Sequence, residues 1–265
     1  MTKTILVTGA TDGIGLLTAQ KLAAAGHTVL LHGRSDDKIE KAAAEVAGTP
    51  KGYRADLSKM GEVEAMAEAI LADQTRLDVL INNAGVLKAP KARTEAGRDI
   101  RFDVNTIAPY ILTRRLLPII PKEGRVVNLS SAAQAPVDVS AMTSFRPMGD
   151  MEAYAQSKLG ITLWTAEMAK QMKQGPVFVA VNPGSLLASK MVKEGFGVAG
   201  NDLSIGADVL VRAATGPDFA DASGRYFDND SGRFATVDAA ATNPGHVGEF
   251  MSALAQIAEQ RLLRG

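Results

Sequence analysis

The chain has 265 residues, 46% hydrophobic and 22% charged, with a formal net charge of zero at pH 7. That balance gives no reason to expect nucleic acid or an anionic membrane as a partner. Cysteine is absent, which excludes disulfides, thiol nucleophiles and Cys-based metal sites. His27, His32 and His246 lie far apart with no ligand spacing, so no metal is expected.

From Met1 the sequence runs almost directly into Ile5-Leu6-Val7, without the charged, apolar and cleavage segments of a leader. No apolar run approaches about 18 residues, the length of a membrane span. A cytoplasmic enzyme is the expectation. In chain order, Thr4–Thr8 reads as a first strand and Gly15–Ala25 as a helix. Thr28–Leu31 is the second strand, and Ser35 or Asp36 caps a helix over Asp37–Ala47. Gly52–Ala55 is a weaker strand, followed by a helix over Lys59–Thr75, where Ser58 stands four residues before Glu62 as a cap with an acidic first turn. A strand over Leu77–Ile81 precedes a helix over Glu95–Leu117. A strand over Arg125–Leu129 precedes one over Glu152–Met172, and Val177–Val181 is the sixth strand. Ser204–Thr215, Gly224–Phe227 and Val247–Leu263 should add a last strand and helices that close a pocket. Order weakens in Gln134–Asp150 and Glu194–Asp202, which are rich in Gly, Pro and small polar residues.

Regular β-α-β alternation without a linker predicts one doubly wound α/β domain over residues 1–265. Its mainly parallel sheet should hold about seven strands with helices on both faces, a Rossmann-like arrangement. Substrate-pocket elements are expected near residues 134–150 and 185–215.

The first strand ends in Thr8-Gly9-Ala10-Thr11-Asp12-Gly13-Ile14-Gly15 and enters a helix. Glycines there let the backbone turn sharply and bring N–H groups up to a pyrophosphate at the positive helix end. The spacing is Gly-x3-Gly-x-Gly rather than Gly-x-Gly-x-x-Gly. Gly9, Thr11, Asp12, Gly13, Ile14 and Gly15 are therefore candidate cofactor contacts. An NAD site usually carries an acid about 20 residues beyond the glycines. Here the second strand ends Leu31-His32-Gly33-Arg34-Ser35, and Arg34, with Ser35, offers a forked cation suited to a 2′-phosphate. NADP is favoured over NAD. Asp36 and Asp37 are the competing feature, since a shift of one or two residues brings a carboxylate to the ribose.

On a helix, Tyr154 and Lys158 project from one face. A nearby ammonium favours phenolate over phenol, giving a proton donor-acceptor for carbonyl and alcohol chemistry.

Asn82-Asn83-Ala84-Gly85 follows the fourth strand and Asp103-Val104-Asn105 sits on a helix. Asn128-Leu129-Ser130-Ser131 ends the fifth strand and Asn182-Pro183-Gly184 the sixth. Together with the Gly turn and the Tyr-x3-Lys pair, in this order over roughly residues 3–190, they resemble the short-chain dehydrogenase/reductase family. The resemblance implies a catalytic set of Asn105, Ser131, Tyr154 and Lys158. Tyr154 would exchange the proton, while Lys158 would lower its pKa and hold the nicotinamide ribose. Ser131, with Ser130 as runner-up, would hold the substrate oxygen, and Asn105 a relay water behind Lys158. It further implies that Asp56-Leu57 faces the adenine and that Asn83, Ala84 and Gly85 line its ribose. Pro183 and Gly184 would shape the nicotinamide pocket, with Ser189 a further contact.

One departure stands out: Ser131 and Tyr154 are 23 residues apart, markedly more than is usual in the family. The surplus, Gln134–Asp150, resembles the retinol-dehydrogenase-like branch. It reads either as a flap walling in a larger or apolar substrate or as a surface Ω-loop. The function expected is NADP(H)-dependent hydride transfer between nicotinamide and a small-molecule carbonyl or alcohol. Alternatives are a catalytically silent dinucleotide sensor or scaffold, and an NAD-dependent alcohol dehydrogenase. Family members often pair through the helix carrying Tyr-x3-Lys, as homodimers or homotetramers. Trp164 and Met168 are candidates for that contact, or ordinary core residues.

Overall fold

The structure, a computed structural model, describes residues 1–188, 200–237 and 242–262, with side chains as far as Glu259. Eight strands form one sheet in the order β3-β2-β1-β4-β5-β6-β7-β8. They are β1 (Thr4–Val7), β2 (Thr28–Gly33), β3 (Lys51–Arg54), β4 (Val79–Asn82), β5 (Arg125–Leu129), β6 (Val177–Asn182), β7 (Tyr226–Asp228) and β8 (Arg233–Ala235). Seven run parallel. The eighth, outside the sequence expectation, turns back antiparallel on β7 with Phe227 opposite Phe234.

Inner strands are buried on both faces, and their residues alternate between two cores. Leu6, Leu30, Leu80, Val126 and Phe178 point to one face, while Ile5, Val29, Val79, Val127 and Val179 point to the other. The second face is covered by α1 (Gly13–Ala24), α2 (Asp36–Glu45) and α8 (Leu203–Thr215). The first is covered by α3 (Met60–Asp73), α5 (Ala108–Leu116), α7 (Asp150–Gln171) and α9 (Pro244–Leu262). Trp164 and Met168 lie in this core, 0% and 5% exposed. Trp164 meets the Tyr110 ring edge-on at 5.7 Å, and Phe250 and Leu254 of α9 belong to the same core.

The helix expected over Glu95–Leu117 begins later. Gly97 takes a positive φ of 75°, and Asp99 caps the helix by accepting from the Arg101 N–H. A short α4 (Ile100–Phe102) then widens into a π-helical turn, Asp103–Ile107, before α5. Ser58 is not the cap of α3. Its hydroxyl donates to Asp56 at 2.8 Å, and Glu62 reaches back to accept from the Asp56 N–H at 2.8 Å. The segment 134–150 is more ordered than its composition indicated. It contains α6 (Val139–Thr143), capped by Asp138, and it buries Val137, Ala141 and Met142.

Candidate active site

The Gly turn between β1 and α1 is held by its neighbours. Gly9 and Gly13 adopt φ of 64° and 53°, a region that favours glycine. A Cβ on Gly15 would lie 2.2 Å from the Gly9 carbonyl oxygen, so that position admits no side chain. Above Gly13 there is nothing within 4 Å of a Cβ position. Asp12 makes no side-chain capping bond to α1. First-turn N–H groups of α1 thus face open space at the positive end of a 12-residue helix, a fit for the pyrophosphate of a dinucleotide.

Asn83 latches β4 to this turn. Its amide donates to the Thr8 and Gly9 carbonyls at 2.8 and 3.1 Å, and Thr8 Oγ1 accepts from the N–H groups of Asn83 and Ala84. Asn83 therefore acts on the turn through its own side chain, while Gly85 is exposed beside it. His32, which sequence reasoning passed over, accepts from the Gly9 N–H at 3.0 Å.

At the end of β2, Arg34 is exposed and makes no ion pair among the described residues; Ser35 precedes α2 as its N-cap position. Asp36 lies 3.6 Å from Arg54. One Asp56 carboxylate oxygen accepts from the Ser58 N–H and hydroxyl, and Leu57 is buried.

The expected catalytic side chains gather where β5, α7 and the π-turn meet. Burial pushes the Tyr154 phenol pKa up, against a smaller downward pull from the nearby Ser131 hydroxyl. Lys158 lies 5.7 Å from the Tyr154 ring centroid and donates to the Leu129 carbonyl at 2.7 Å. Burial pushes its pKa down to about 8. The ammonium is thus directed at a backbone carbonyl, and desolvation, rather than Lys158, dominates the phenol. Ser130 turns away from the phenol: its hydroxyl donates to the Lys158 carbonyl at 3.0 Å and shares a bond with Thr162.

Asn105 makes three side-chain hydrogen bonds. It accepts from the Val86 N–H at 2.8 Å and donates to the Val86 carbonyl and Ser157 hydroxyl, each at 2.9 Å.

Gly184 takes φ of 122° after Pro183, and Ser189 lies outside the described residues. Asn182 ties this strand end to the β7–β8 turn, donating to Asp228 and Asp230 at 2.8 Å each. Asp230 also accepts from the N–H and hydroxyl of Ser185.

A cavity of about 290 Å³ lies beside Ser131, walled by Ala132, Gln134, Ala135, Leu159, Tyr226 and Val237 among others. Gln134 and Tyr226 each donate to the Ser131 carbonyl, at 2.9 and 3.0 Å. The 134–150 segment is tied to α7 by the Ala135 N–H to the Ala155 carbonyl and the Asp138 N–H to Gln156. A buried Arg101 supports the start of α7, clasping Asp99 through two nitrogens and reaching Asp150. No short motif marks Arg101 or Tyr226. Only their placement in the fold brings them to the site.

The family profile for short chain dehydrogenase matches residues 3–196. Retinol dehydrogenase 13 of Homo sapiens is 32% identical over 253 residues, covering 85% of this chain and 76% of the relative. Retinol dehydrogenase 12 of Mus musculus is 33% identical over 244 residues, covering 85% and 77%. Among solved structures, an uncharacterized protein from Mycobacterium paratuberculosis superposes with a TM-score of 0.81 at 28% identity, covering 97% and 93% of the two chains. A Shigella flexneri 2a short chain dehydrogenase complexed with NADP gives 0.68 at 26% identity, covering 86% and 96%. A 3-ketoacyl-(acyl-carrier-protein) reductase from Brucella melitensis complexed with NADH gives 0.68 at 25% identity, covering 87% and 98%. Among the described residues no helix is long and apolar enough to cross a membrane. The uncapped phosphate turn suits the nicotinamide dinucleotides in these neighbours, and alcohol and carbonyl groups are what this family acts on. The chain belongs to the short-chain dehydrogenase/reductase family of oxidoreductases, in its retinol-dehydrogenase-like branch.

Proposed function

We propose that the chain is an NADP(H)-dependent oxidoreductase that interconverts a carbonyl and an alcohol, with Tyr154 as general acid and base. The observation that carries this reading is buried Lys158, whose ammonium lies 5.7 Å from the Tyr154 ring centroid and bonds the Leu129 carbonyl at the strand end that leads to Ser131.

When bound, the dinucleotide supplies or takes up the hydride. In reduction, Tyr154 gives its proton to the oxygen that becomes the alcohol, and Ser131 donates a hydrogen bond to the charge developing there. In oxidation Tyr154 takes the proton back. Lys158 stabilises the phenolate by its positive charge. A water serving Lys158 would be held by Asn105, whose amide hydrogens are spent on Val86 and Ser157. The amide instead fixes α7 against the π-turn.

Gly9, Thr11, Asp12, Gly13, Ile14 and Gly15 would hold the pyrophosphate. Asp56 and Leu57 would face the adenine, and Pro183 and Gly184 the nicotinamide. The free guanidinium of Arg34, with Asp36 turned towards Arg54, favours a 2′-phosphate and hence NADP. The cavity beside Ser131 takes the part of the substrate remote from the reacting carbon, with Gln134–Pro136 of the extended segment as one wall.

Tyr154→Phe tests the assignment. Turnover should fall by about 10²- to 10⁴-fold, while NADPH binding stays close to wild type. Retained activity in that variant refutes the role of Tyr154. A screen of NADPH oxidation over aldehydes, ketones and quinones separates the enzyme from a silent binder, because sustained turnover of any of them excludes the latter.

A further inference from the structure

His32 stands where three strand ends meet the phosphate turn. It is 2% exposed, and both ring nitrogens are used. Nδ1 accepts from the Gly9 N–H at 3.0 Å, and Nε2 lies 3.0 Å from the Ala55 carbonyl. A neutral imidazole has one donor and one acceptor nitrogen. An amide N–H on one side and a carbonyl on the other therefore require the hydrogen on Nε2. The opposite tautomer would set two N–H groups against each other at Gly9, and so would an imidazolium. Burial lowers the ring pKa to about 4, which keeps it neutral. The main chain adds further ties: the His32 carbonyl accepts from Ala10 at 2.9 Å, and the Gly33 carbonyl from Ala55 at 3.0 Å.

What these bonds join is specific. Gly9 opens the phosphate turn, Arg34 follows His32 by two residues, and Asp56 follows Ala55 directly. The imidazole thus spans the phosphate turn and the strand end leading to the adenine side, while its own strand leads to Arg34. At Gly33 a Cβ would come within 2.5 Å of the Thr11 side chain, so β2 and the turn already touch there. The bond also removes the Gly9 N–H from the donors open to a phosphate, leaving that work to the first turn of α1.

We propose that His32 is a positioning residue for the dinucleotide: as an Nε2–H imidazole it fixes the phosphate turn against the ends of β2 and β3. The proposal rests on the reading that the chain binds a nicotinamide dinucleotide.

Three variants divide the two arms of the imidazole. His32→Phe removes both, His32→Asn keeps an acceptor near the Nδ1 position, and His32→Gln keeps a donor near the Nε2 position. Kd for NADPH and for NADH is measured by quenching of intrinsic fluorescence, with thermal unfolding alongside. H32F and H32Q should weaken both dinucleotides by about tenfold, whereas H32N should stay within about threefold of wild type. Equal losses for the two dinucleotides separate this role from a 2′-phosphate contact. Unchanged Kd in H32F, even with a lowered Tm, overturns the proposal, as does rescue by H32Q in place of H32N. Long-range ¹⁵N correlation spectra of the full chain should show His32 protonated at Nε2 alone at neutral pH, and protonation at Nδ1 overturns it without any cofactor. If wild type binds neither dinucleotide, the cofactor reading fails and takes the role of His32 with it. Binding by wild type with H32F unchanged refutes only His32.

Discussion

At the ends of β1, β2 and β4 the polar groups that shape the phosphate turn bond to main chain close by. Thr8 and Asn83 lock two adjacent strands, His32 holds Gly9, and Gly15 lies too close to Gly9 for any side chain. On the other side of the sheet, beyond β5 and β6, the walls come from segments distant in sequence. Tyr226 reaches Ser131 across 95 residues, Asp230 reaches Ser185 across 45, and the 134–150 segment is pinned on α7. The dinucleotide end is thus set where the ends of paired inner strands meet, and the substrate end by segments that lie outside those strands. Substitutions at the first should act on binding, and at the second on stability and shape together.

The largest effect is expected beneath the catalytic helix. Arg101→Leu leaves Asp99 buried without its partner and should cost about 3–5 kcal/mol in urea unfolding. Replacing both residues by apolar ones should recover much of that loss. If the single variant unfolds like wild type, the clasp at the start of α7 is not a support. Next, Met142→Ala empties a fully buried position in the 134–150 segment and should cost about 2–5 kcal/mol. A surface loop would lose almost nothing, so an unchanged Tm would erase the contrast drawn for this region.

A pH effect of intermediate size follows from Lys158. Its folded pKa of about 8 lies below the unfolded value of 10.5, so between these values the unfolded chain binds the extra proton. Stability should therefore rise with pH from about 8 towards 10, by up to about 1.4 kcal/mol per unit. Above 10 the half-buried Tyr154, whose pKa is raised, works in the opposite direction, since only the unfolded chain then releases its proton. Lys158→Met should flatten the rise in chemical unfolding across this window, and an unaltered slope would assign it to other groups. The smallest change is confined to the dinucleotide end. Arg34→Ala should weaken NADPH by about tenfold while NADH stays within about threefold. Equal losses would remove the 2′-phosphate contact.

The same division governs what can be read without coordinates. Strands β1, β2, β4, β5 and β6 announce themselves as apolar runs, and Gly9–Gly15 as a turn, because their geometry depends on residues within a few positions. The Ser131–Tyr154 contact is legible only through the order of several short motifs. His32 is invisible at that level: a lone histidine in an apolar strand reads as core, and its partners are backbone atoms with no residue signature. Asp99–Arg101 was hidden inside a stretch that looked continuously helical, since the positive φ at Gly97 delays the start of α4. Strand β8 has three residues and little alternation to reveal it. It exists because β7 leaves an edge that a hairpin can cover.

Helix α9 has a consequence in time. From Gln156 to Thr165 the catalytic helix is buried without a break, and Phe250, Leu254, Ile257 and Ala258 belong to the core that encloses it. Those residues are translated after every described strand of the sheet, so a nascent chain made through β8 still lacks that part of the core. Docking of α9 therefore comes after the described strands are made, and the interval before it is when the chain most needs protection from association through that core.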